Sequence, residues 1–252
     1  LTIFDSLKNP VTKYTSGFYN NIYFEDLSKK ASLEIYGKSQ FVWRNGVKHD
    51  CSKVMELIVS NEKLQNGYKE ILDIEDDLIF PFLKSSDLAK EKFSENKRIL
   101  ITQRFINEPT DYIQTNYPKT RKYLIDHTED FEKRKSIIYK NKSRYSIFSV
   151  GDYTFKPYKV AISGLYKSLN FKLISPYKSK TVLLDDTCNF ISFNKYEEAE
   201  FILSLLKSDI AEQYLNARIS WESKRPVKTE LLNSIDFEKL AKVNSQEQIY
   251  YK

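Results

Sequence analysis

The sequence predicts an α+β fold, a mixed α/β arrangement of short strands and a central mixed sheet with a long amphipathic helix near its C-terminal end. Residues 145–193 are rich in β-branched and aromatic side chains and are interrupted by glycine and proline, which is typical of several short strands. Residues 195–218 instead carry apolar side chains at helical spacing. The 252 residues are 41% hydrophobic, so they can bury a sizeable core as one large domain or two small ones.

The first third of the chain contains only short elements. Residues 1–38 have no clear periodicity, and we interpret them as a connector. The apolar spacing of residues 52–60 predicts a short helix, because Val54, Leu57 and Ile58 would share one face. Residues 61–68 are then expected to form a turn-bearing connection.

Buried extended segments are expected next. Residues 71–74 and 78–83 are apolar and flank an acidic stretch, and Pro81 indicates a strand end or a loop because proline cannot donate to a sheet ladder. Residues 98–106 are rich in β-forming side chains and bounded by charge, so they predict a strand.

Two helices are predicted in the second half, followed by a final short helix over residues 227–241. Residues 109–135 form the first, in which Pro118 fits the first turn if Thr115 or Asn116 is the cap. Residues 195–218 form the second, and Asn194 is its expected cap. The apolar stripe of this second helix, an ordinary core feature, consists of Ala199, Ile202, Leu203, Leu206, Ile210 and Leu215.

The most informative stretch is residues 43–57, which joins a polar, basic loop to an amphipathic segment. Gly46 is expected to give this loop the positive φ of a tight turn. The loop contains four donor-rich side chains of the kinds that hydrogen-bond base edges and phosphates, namely Arg44, Asn45, Lys48 and His49. The alternative interpretation is a plain surface turn with a structural histidine.

The run Trp43-Arg44-Asn45-Gly46-Val47-Lys48-His49-Asp50 is similar, nearly residue for residue, to a W-x-x-G-x-K-H-D block of a known family. Further similar segments follow in the same order at residues 80–88, 145–153, 157–166, 185–187 and 223–232. Together they span about residues 40–240. The chain therefore resembles the C-terminal target-recognition (specificity) domain of restriction-modification DNA adenine-N6 methyltransferases of the type IIG, TaqI-like and Eco57I-like kind.

This resemblance implies that residues 39–252 are a DNA target-recognition domain and that residues 1–38 connect it to an upstream domain. The implied partners are double-stranded DNA and a methyltransferase domain, with or without a nuclease domain, in the parent protein. The cofactor S-adenosylmethionine is implied for the upstream domain and none for this chain. Basic and aromatic residues also interleave over residues 133–167, a mixture that suits phosphate contacts and groove insertion, although a solvated face explains any one of them about as well. The candidate DNA-binding residues are Arg44, Asn45, Lys48, His49, Lys84, Ser85, Ser86, Arg144, Lys156, Lys159, Lys224 and Arg225.

The chain lacks the motifs of methyl transfer. A loop that approaches S-adenosylmethionine requires closely spaced glycines, and no Gly-x-Gly occurs. An adenine-N6 methyltransferase holds the flipped base with an Asn/Asp-Pro-Pro-Tyr/Phe motif. The nearest match is Asn9-Pro10, which Val11 follows. We therefore assign no catalytic residue and expect a piece of a longer polypeptide, as the start at Leu1 and the single methionine also indicate.

There are two alternatives to a DNA recognition domain. One is a nuclease fragment of a restriction system, and the other is a protein-interaction module that docks through residues 195–218. A nuclease holds Mg²⁺ with clustered carboxylates. The pairs Asp76-Asp77 and Asp185-Asp186 lack a following Glu-x-Lys, so they are more typical of turn caps, and His49 and His127 lack companions for nucleophilic catalysis. We assign no metal ligand.

Charge and cysteine content set the expected context. The net charge of +6 is compatible with a polyanionic partner, although a lysine-rich composition also occurs in AT-rich genomes. Two distant cysteines without metal-binding spacing indicate a reducing compartment. No apolar run approaches the length of a membrane span, so we expect a cytoplasmic protein without membrane contact.

Overall fold

The computed structural model describes residues 4–6, 9–10, 16–90 and 93–250. Its helices and sheets confirm the α+β class. The strands in these ranges are β1 (Phe4–Ser6), β2 (Asn9–Pro10), β3 (Gly17–Tyr19), β4 (Ile22–Phe24), β5 (Arg44–Asn45), β6 (Glu56–Ser60), β7 (Lys63–Gln65), β8 (Ile71–Leu72), β9 (Ile79–Leu83), β10 (Lys97–Leu100), β11 (Tyr158–Ser163), β12 (Lys172–Ile174), β13 (Leu183–Leu184) and β14 (Cys188–Phe193).

The helices are short, and none in the described residues is long and apolar enough to cross a bilayer. The α-helices are α1 (Ser52–Met55), α2 (Ser85–Leu88), α3 (Tyr112–Asn116), α4 (Pro118–Asp126), α5 (Thr128–Glu132), α6 (Asp152–Phe155), α7 (Tyr196–Leu206), α8 (Asp209–Arg218), α9 (Thr229–Leu232), α10 (Phe237–Val243) and α11 (Glu247–Tyr250). The 3-10 helices are Leu27–Ile35, Asp76–Leu78 and Ile137–Tyr139.

Two sheets organise the chain. The larger has the strand order β13-β9-β10-β6-β7-β8, and because β13 runs parallel to β9 while the other neighbours are antiparallel, it is the mixed sheet that the sequence predicts. The smaller sheet is antiparallel in the order β12-β11-β14-β5. Residues 145–193, where several short strands were expected, supply β11, β12 and β14 of this sheet and β13 of the larger sheet.

Each sheet has its own core, and a third cluster lies between them. Side chains of α4 and α5 pack with the larger sheet, and side chains of α7, α8 and α10 pack with the smaller one. Alternate residues of a strand point to opposite faces. Val160 accordingly joins the helical core, while Ala161 joins Leu184 and Phe190 in the third cluster. The smaller sheet is therefore covered on both faces.

The chain passes between the sheets twice at one place. Residues 46–51 lead from β5 to α1, and residues 185–187 lead from β13 to β14. The two crossings are hydrogen-bonded to each other, because the N–H of Gly46 donates to the carbonyl of Cys188 at 3.1 Å and that of Val47 to the carbonyl of Leu184 at 2.7 Å. This sheet junction positions the loops described below.

The long predicted helices are divided. Residues 109–135 form α3, α4 and α5, and Pro118 stands in the first turn of α4 as predicted, although Tyr117 is its cap. Residues 195–218 form α7 and α8, separated at Lys207 and Ser208, where serine favours a turn over helix interior. Lys195 caps α7 in place of Asn194. All six residues of the expected stripe lie in the core or pack against it, so this face is not free for docking.

Residues 52–60 differ from the predicted helix. The helix ends at Met55, and residues 56–60 are strand β6, which pairs with β10 and β7. Sheet pairing with distant segments therefore overrides the local apolar spacing. Pro81 lies inside β9 opposite Arg98, and pairing with β13 starts only at Phe82. The strand predicted over residues 98–106 ends at Leu100.

The predicted connector contains ordered elements in its second half. The hairpin of β3 and β4 precedes the 3-10 helix Leu27–Ile35, and Ile35 lies in the same core cluster as Trp43. Residues 1–3, 7–8 and 11–15 of the connector lie outside the described residues. Its role as a link to another domain stays a prediction.

Candidate nucleic-acid interface

Three loops meet at the sheet junction: residues 46–50, 84–87 and 185–187. The N–H of Asp185 donates to the carbonyl of Leu83 at 3.0 Å, and that of Asp186 to the carbonyl of Val47 at 3.1 Å. The hydroxyl of Ser85 donates to the carbonyl of Thr187 at 2.6 Å. Backbone groups of all three loops are thus fixed to one another, so their side chains have defined positions.

Gly46 has a different role from the one expected. Its φ is not positive. A Cβ at this position would lie 2.2 Å from the carbonyl oxygen of Leu184 and 2.3 Å from that of Asp185. Glycine is therefore required for close approach of the two crossings, and the left-handed residue of the loop is Asp50, with a φ of 50°.

The predicted turn-capping role of Asp185 is present in the structure. Its carboxylate accepts hydrogen bonds from the N–H of Thr187 at 2.9 Å and from the hydroxyl of the same residue. Asp76 and Asp77 stand in the first turn of a 3-10 helix whose cap is Glu75, and Asp76 pairs with Lys180, so the expected capping role is not seen for this pair. Among the described residues, no three His, Cys, Asp or Glu side chains converge in a way that could hold a metal ion.

Asp186 joins two of the predicted DNA-binding residues. Its carboxylate lies 3.8 Å from Nζ of Lys48 and 3.5 Å from the guanidinium of Arg225, whose neighbour Lys224 is exposed. Lys48 also pairs with Asp50 at 2.7 Å. Two open hollows of about 330 and 280 Å³ adjoin Asp186, one on the side of Lys48 and the other on the side of Arg225.

Lys84 and His49 are linked through Glu56. Nζ of Lys84 lies 2.8 Å from Glu56 Oε1, and Nε2 of His49 lies 3.5 Å from the same atom. Burial disfavours the Glu56 carboxylate, but these contacts outweigh it and hold its pKa below the usual value. Burial likewise opposes the charge of Lys84, yet the contact with Glu56 raises the pKa of Lys84.

His49 itself is buried, and its Nδ1 accepts the N–H of Cys51 at 3.1 Å. The imidazole therefore supports the loop from inside, which corresponds to the structural histidine of the alternative interpretation. Lys84 is half-buried beside it, and of the two serines that follow, Ser85 is buried whereas Ser86 is exposed.

Arg44 and Asn45 are adjacent in β5 and point to opposite faces of the smaller sheet. Asn45 donates to Asn189 Oδ1 at 2.8 Å and lines the hollow beside Arg225. Arg44 is exposed, and its guanidinium lies 4.4 Å from the ring centroid of Tyr153. Lys156 is half-buried, and the ion pairs of Asp186 are with Lys48 and Arg225 rather than with Arg44 or Lys156 in the part of the chain that the structure describes.

Lys159 does not belong to any surface. It is fully buried in β11, where its Nζ donates to the carbonyl of Lys156 at 2.7 Å. Burial lowers the pKa of Lys159 to about 7. A lysine in this position cannot reach a phosphate, so the expectation of DNA contact differs from what the fold allows.

Residues 133–144 form a second basic feature, here called the basic segment. The chain has 40 Lys and Arg against 34 Asp and Glu. The basic segment contains six of these basic residues and no acidic one, so basic and acidic residues are equal in number over the rest of the chain. Five of the six are exposed, and four of those line a hollow of about 730 Å³: Lys135, Lys140, Lys142 and Arg144.

The sixth, Arg134, points inward and fastens the basic segment to the sheet junction. Its guanidinium donates to the carbonyls of Ser146 at 2.7 Å, Arg144 at 2.5 Å and His49 at 3.3 Å. It also lies 3.8 Å from the ring centroid of Tyr139. Lys48 and Phe148 exchange backbone hydrogen bonds beside it, at 3.0 and 2.8 Å. The basic segment is thus fastened directly to the loop 46–50 of the junction.

Sequence reasoning missed the two residues that organise this surface. Asp186, expected only to cap a turn, gathers Lys48 and Arg225. Arg134 was one of many basic residues, and no local pattern distinguishes it from Lys133 and Lys135. The six basic residues of residues 133–144, with no acidic residue among them, are a signal that the sequence does contain.

No family model matches the chain. The type II methyltransferase M.NspV of Nostoc sp. (strain ATCC 29411 / PCC 7524) is 45% identical to it over 244 residues, which are 96% of this chain and 51% of that protein. A structure of the type IIL restriction-modification enzyme MmeI in complex with DNA aligns with 79% of this chain and 26% of that one, with a TM-score of 0.48 and 11% identity. The chain is therefore related to a type II methyltransferase and spans about half the length of that relative.

Proposed function

We propose that the chain is the sequence-specific duplex DNA recognition domain of a restriction-modification adenine-N6 methyltransferase and has no catalytic activity of its own. The relative's name supports the connection to a methyltransferase, and its length leaves room for a separate catalytic half. The chain contains neither Gly-x-Gly nor an Asn-Pro-Pro-Tyr motif. S-adenosylmethionine binding and methyl transfer are therefore assigned to another part of the parent protein.

The observation that carries the proposal is the basic segment beside the sheet junction. Three of its exposed cations, Lys135, Lys140 and Lys142, line one hollow, while Lys133 and Arg144 pair with Glu129 and Glu132 at 3.6 Å. Lysine and arginine that neutralise phosphates supply most of the sequence-independent affinity for DNA, and such contacts fix the register of a protein on the duplex. The basic segment is assigned this positioning role.

The sheet junction is assigned the reading of bases. Arg225 and Lys48 offer the donors that pair with guanine edges, while Asp186 offers an acceptor for an exposed amino group of cytosine. Asn45 contributes an amide on the same side. Because these groups hold one another in the free protein, DNA would exchange existing ion pairs for contacts to bases.

Two measurements with the 252-residue chain test the proposal. Fluorescence anisotropy with a labelled duplex at several salt concentrations should give a log–log slope of about −4 to −5, as expected for roughly four to six phosphate contacts. Selection from a pool of random-sequence duplexes should enrich one short motif. Binding that does not change with salt, or a pool that stays random after selection, would contradict the proposal.

A further inference from the structure

Ile137 is an exposed aliphatic side chain in the middle of the basic segment. Of the large apolar side chains that the structure describes, it is the most exposed, at 79%. A single exposed apolar residue needs no explanation by itself. Ile137, however, lines the same hollow as Lys135, Lys140 and Lys142. An aliphatic group beside three lysines, in a hollow that Glu132 also lines, suits a partner that offers phosphates and an apolar interior side by side.

The backbone holds Ile137 outward. It starts the 3-10 helix Ile137–Tyr139, in which the N–H of Lys140 donates to the carbonyl of Ile137 at 3.0 Å. The Tyr139 ring is fixed between the Arg134 guanidinium and the ring of Phe148, whose centroid is 5.4 Å away. The segment is therefore anchored immediately after Ile137, which favours a fixed protrusion.

We propose that Ile137 is a wedge that inserts between neighbouring base pairs from the minor groove when the basic segment binds duplex DNA. The proposal rests on the proposed function. Apolar side chains that enter a base step unstack it partly and bend the duplex toward the major groove. Lys135 and Lys140 flank the wedge on both sides in sequence and would neutralise the phosphates beside the opened step.

The test compares Ile137→Ala with Ile137→Leu and with the control Ile71→Ala. Ile71 is also an exposed isoleucine, at 61%, and lies on β8 at the far edge of the larger sheet. The full chain is titrated into a short duplex that carries a fluorophore at each end, so that energy transfer reports bending and anisotropy reports affinity. A 2-aminopurine base in the same duplex reports unstacking.

We expect Ile137→Ala to abolish the bend and to weaken binding about tenfold, the scale of burying one aliphatic side chain. Its salt dependence should equal that of the wild type, because no phosphate contact is lost. Ile137→Leu and Ile71→Ala should bend and bind as the wild type does. Unchanged bending and affinity in Ile137→Ala, or wild-type binding without any bend, overturns the wedge alone. A wild-type chain that does not bind duplex DNA overturns the proposed function as well.

Discussion

Lys159 provides the sharpest test of the fold, because the substitution Lys159→Met removes a buried charge and preserves the shape of the side chain. The lysine is fully buried, and its Nζ donates a hydrogen bond to the carbonyl of Lys156. Burial lowers its pKa from 10.5 to about 7. Methionine is also unbranched and of similar volume, so it should fit the same space with little repacking.

The pKa of Lys159 sets the size of the expected change in the free energy of unfolding. Below pH 7 the Lys159 ammonium is charged in both the folded and the unfolded state, so the folded state bears the whole free-energy cost of burying the charge. Between about pH 7 and 10.5 the unfolded chain keeps a proton that the folded protein has released, so the free energy of unfolding rises with pH by up to ~1.4 kcal/mol per pH unit. The penalty near neutral pH is therefore about 4 kcal/mol. Leaving the Lys156 carbonyl without its donor costs about 1–3 kcal/mol, so the variant should gain about 1–3 kcal/mol at pH 7.

Urea unfolding of both proteins across this pH range measures the difference. Tyrosine and cysteine side chains ionise in the same range, and comparing the two proteins cancels them. The advantage of Lys159→Met should be largest at or below pH 7 and should disappear as pH approaches 10. A variant that is less stable than the wild type at pH 7, or a difference that does not depend on pH, would refute the reasoning. DNA binding by Lys159→Met should equal that of the wild type, since the lysine is not at the surface.

Gly46→Ala should lower the free energy of unfolding by about 3 kcal/mol in urea titrations, because the new Cβ meets backbone carbonyls that cannot move away. Gly17→Ala, whose Cβ would meet only the flexible end of the Leu27 side chain, should cost much less, and equal losses would contradict the close-approach argument. Arg134→Lys should lower the melting temperature by removing a planar group that serves several carbonyls, whereas Lys135→Ala should leave it unchanged. Calorimetry should detect no S-adenosylmethionine binding to the chain, and micromolar affinity would disprove the assignment of the cofactor to another domain.

The sequence predicts elements that depend on local pattern. The stripe of residues 195–218 follows from side-chain periodicity and the strands of residues 145–193 follow from local composition, and both are present. Residues 56–60 could not be assigned correctly, because they become a strand only through pairing with β10 and β7. Lys159 was expected at the surface for a related reason. A sheet that is covered on both faces buries even the polar positions of its strands.

The candidate site depends on contacts between distant residues. Asp186 is separated from Lys48 and from Arg225 by long stretches of chain, and no local pattern brings them together. The basic composition of residues 133–144 is visible in the sequence, but the inward orientation of Arg134 is not. Sequence therefore identifies the residue types of a DNA-binding surface, while the sheet junction determines which of them share it.

The most direct test of the DNA-binding surface is a charge-matched pair of double variants. Lys140→Glu with Lys142→Glu alters the basic segment, and Lys195→Glu with Lys207→Glu alters the two ends of α7 on the smaller sheet. Both lower the net charge equally. The affinity for a labelled duplex should fall more than tenfold in the first variant, with a salt slope reduced by about two, and should stay near the wild-type value in the second. Equal losses in both variants, or no loss in the first, would contradict the assignment of DNA binding to this surface.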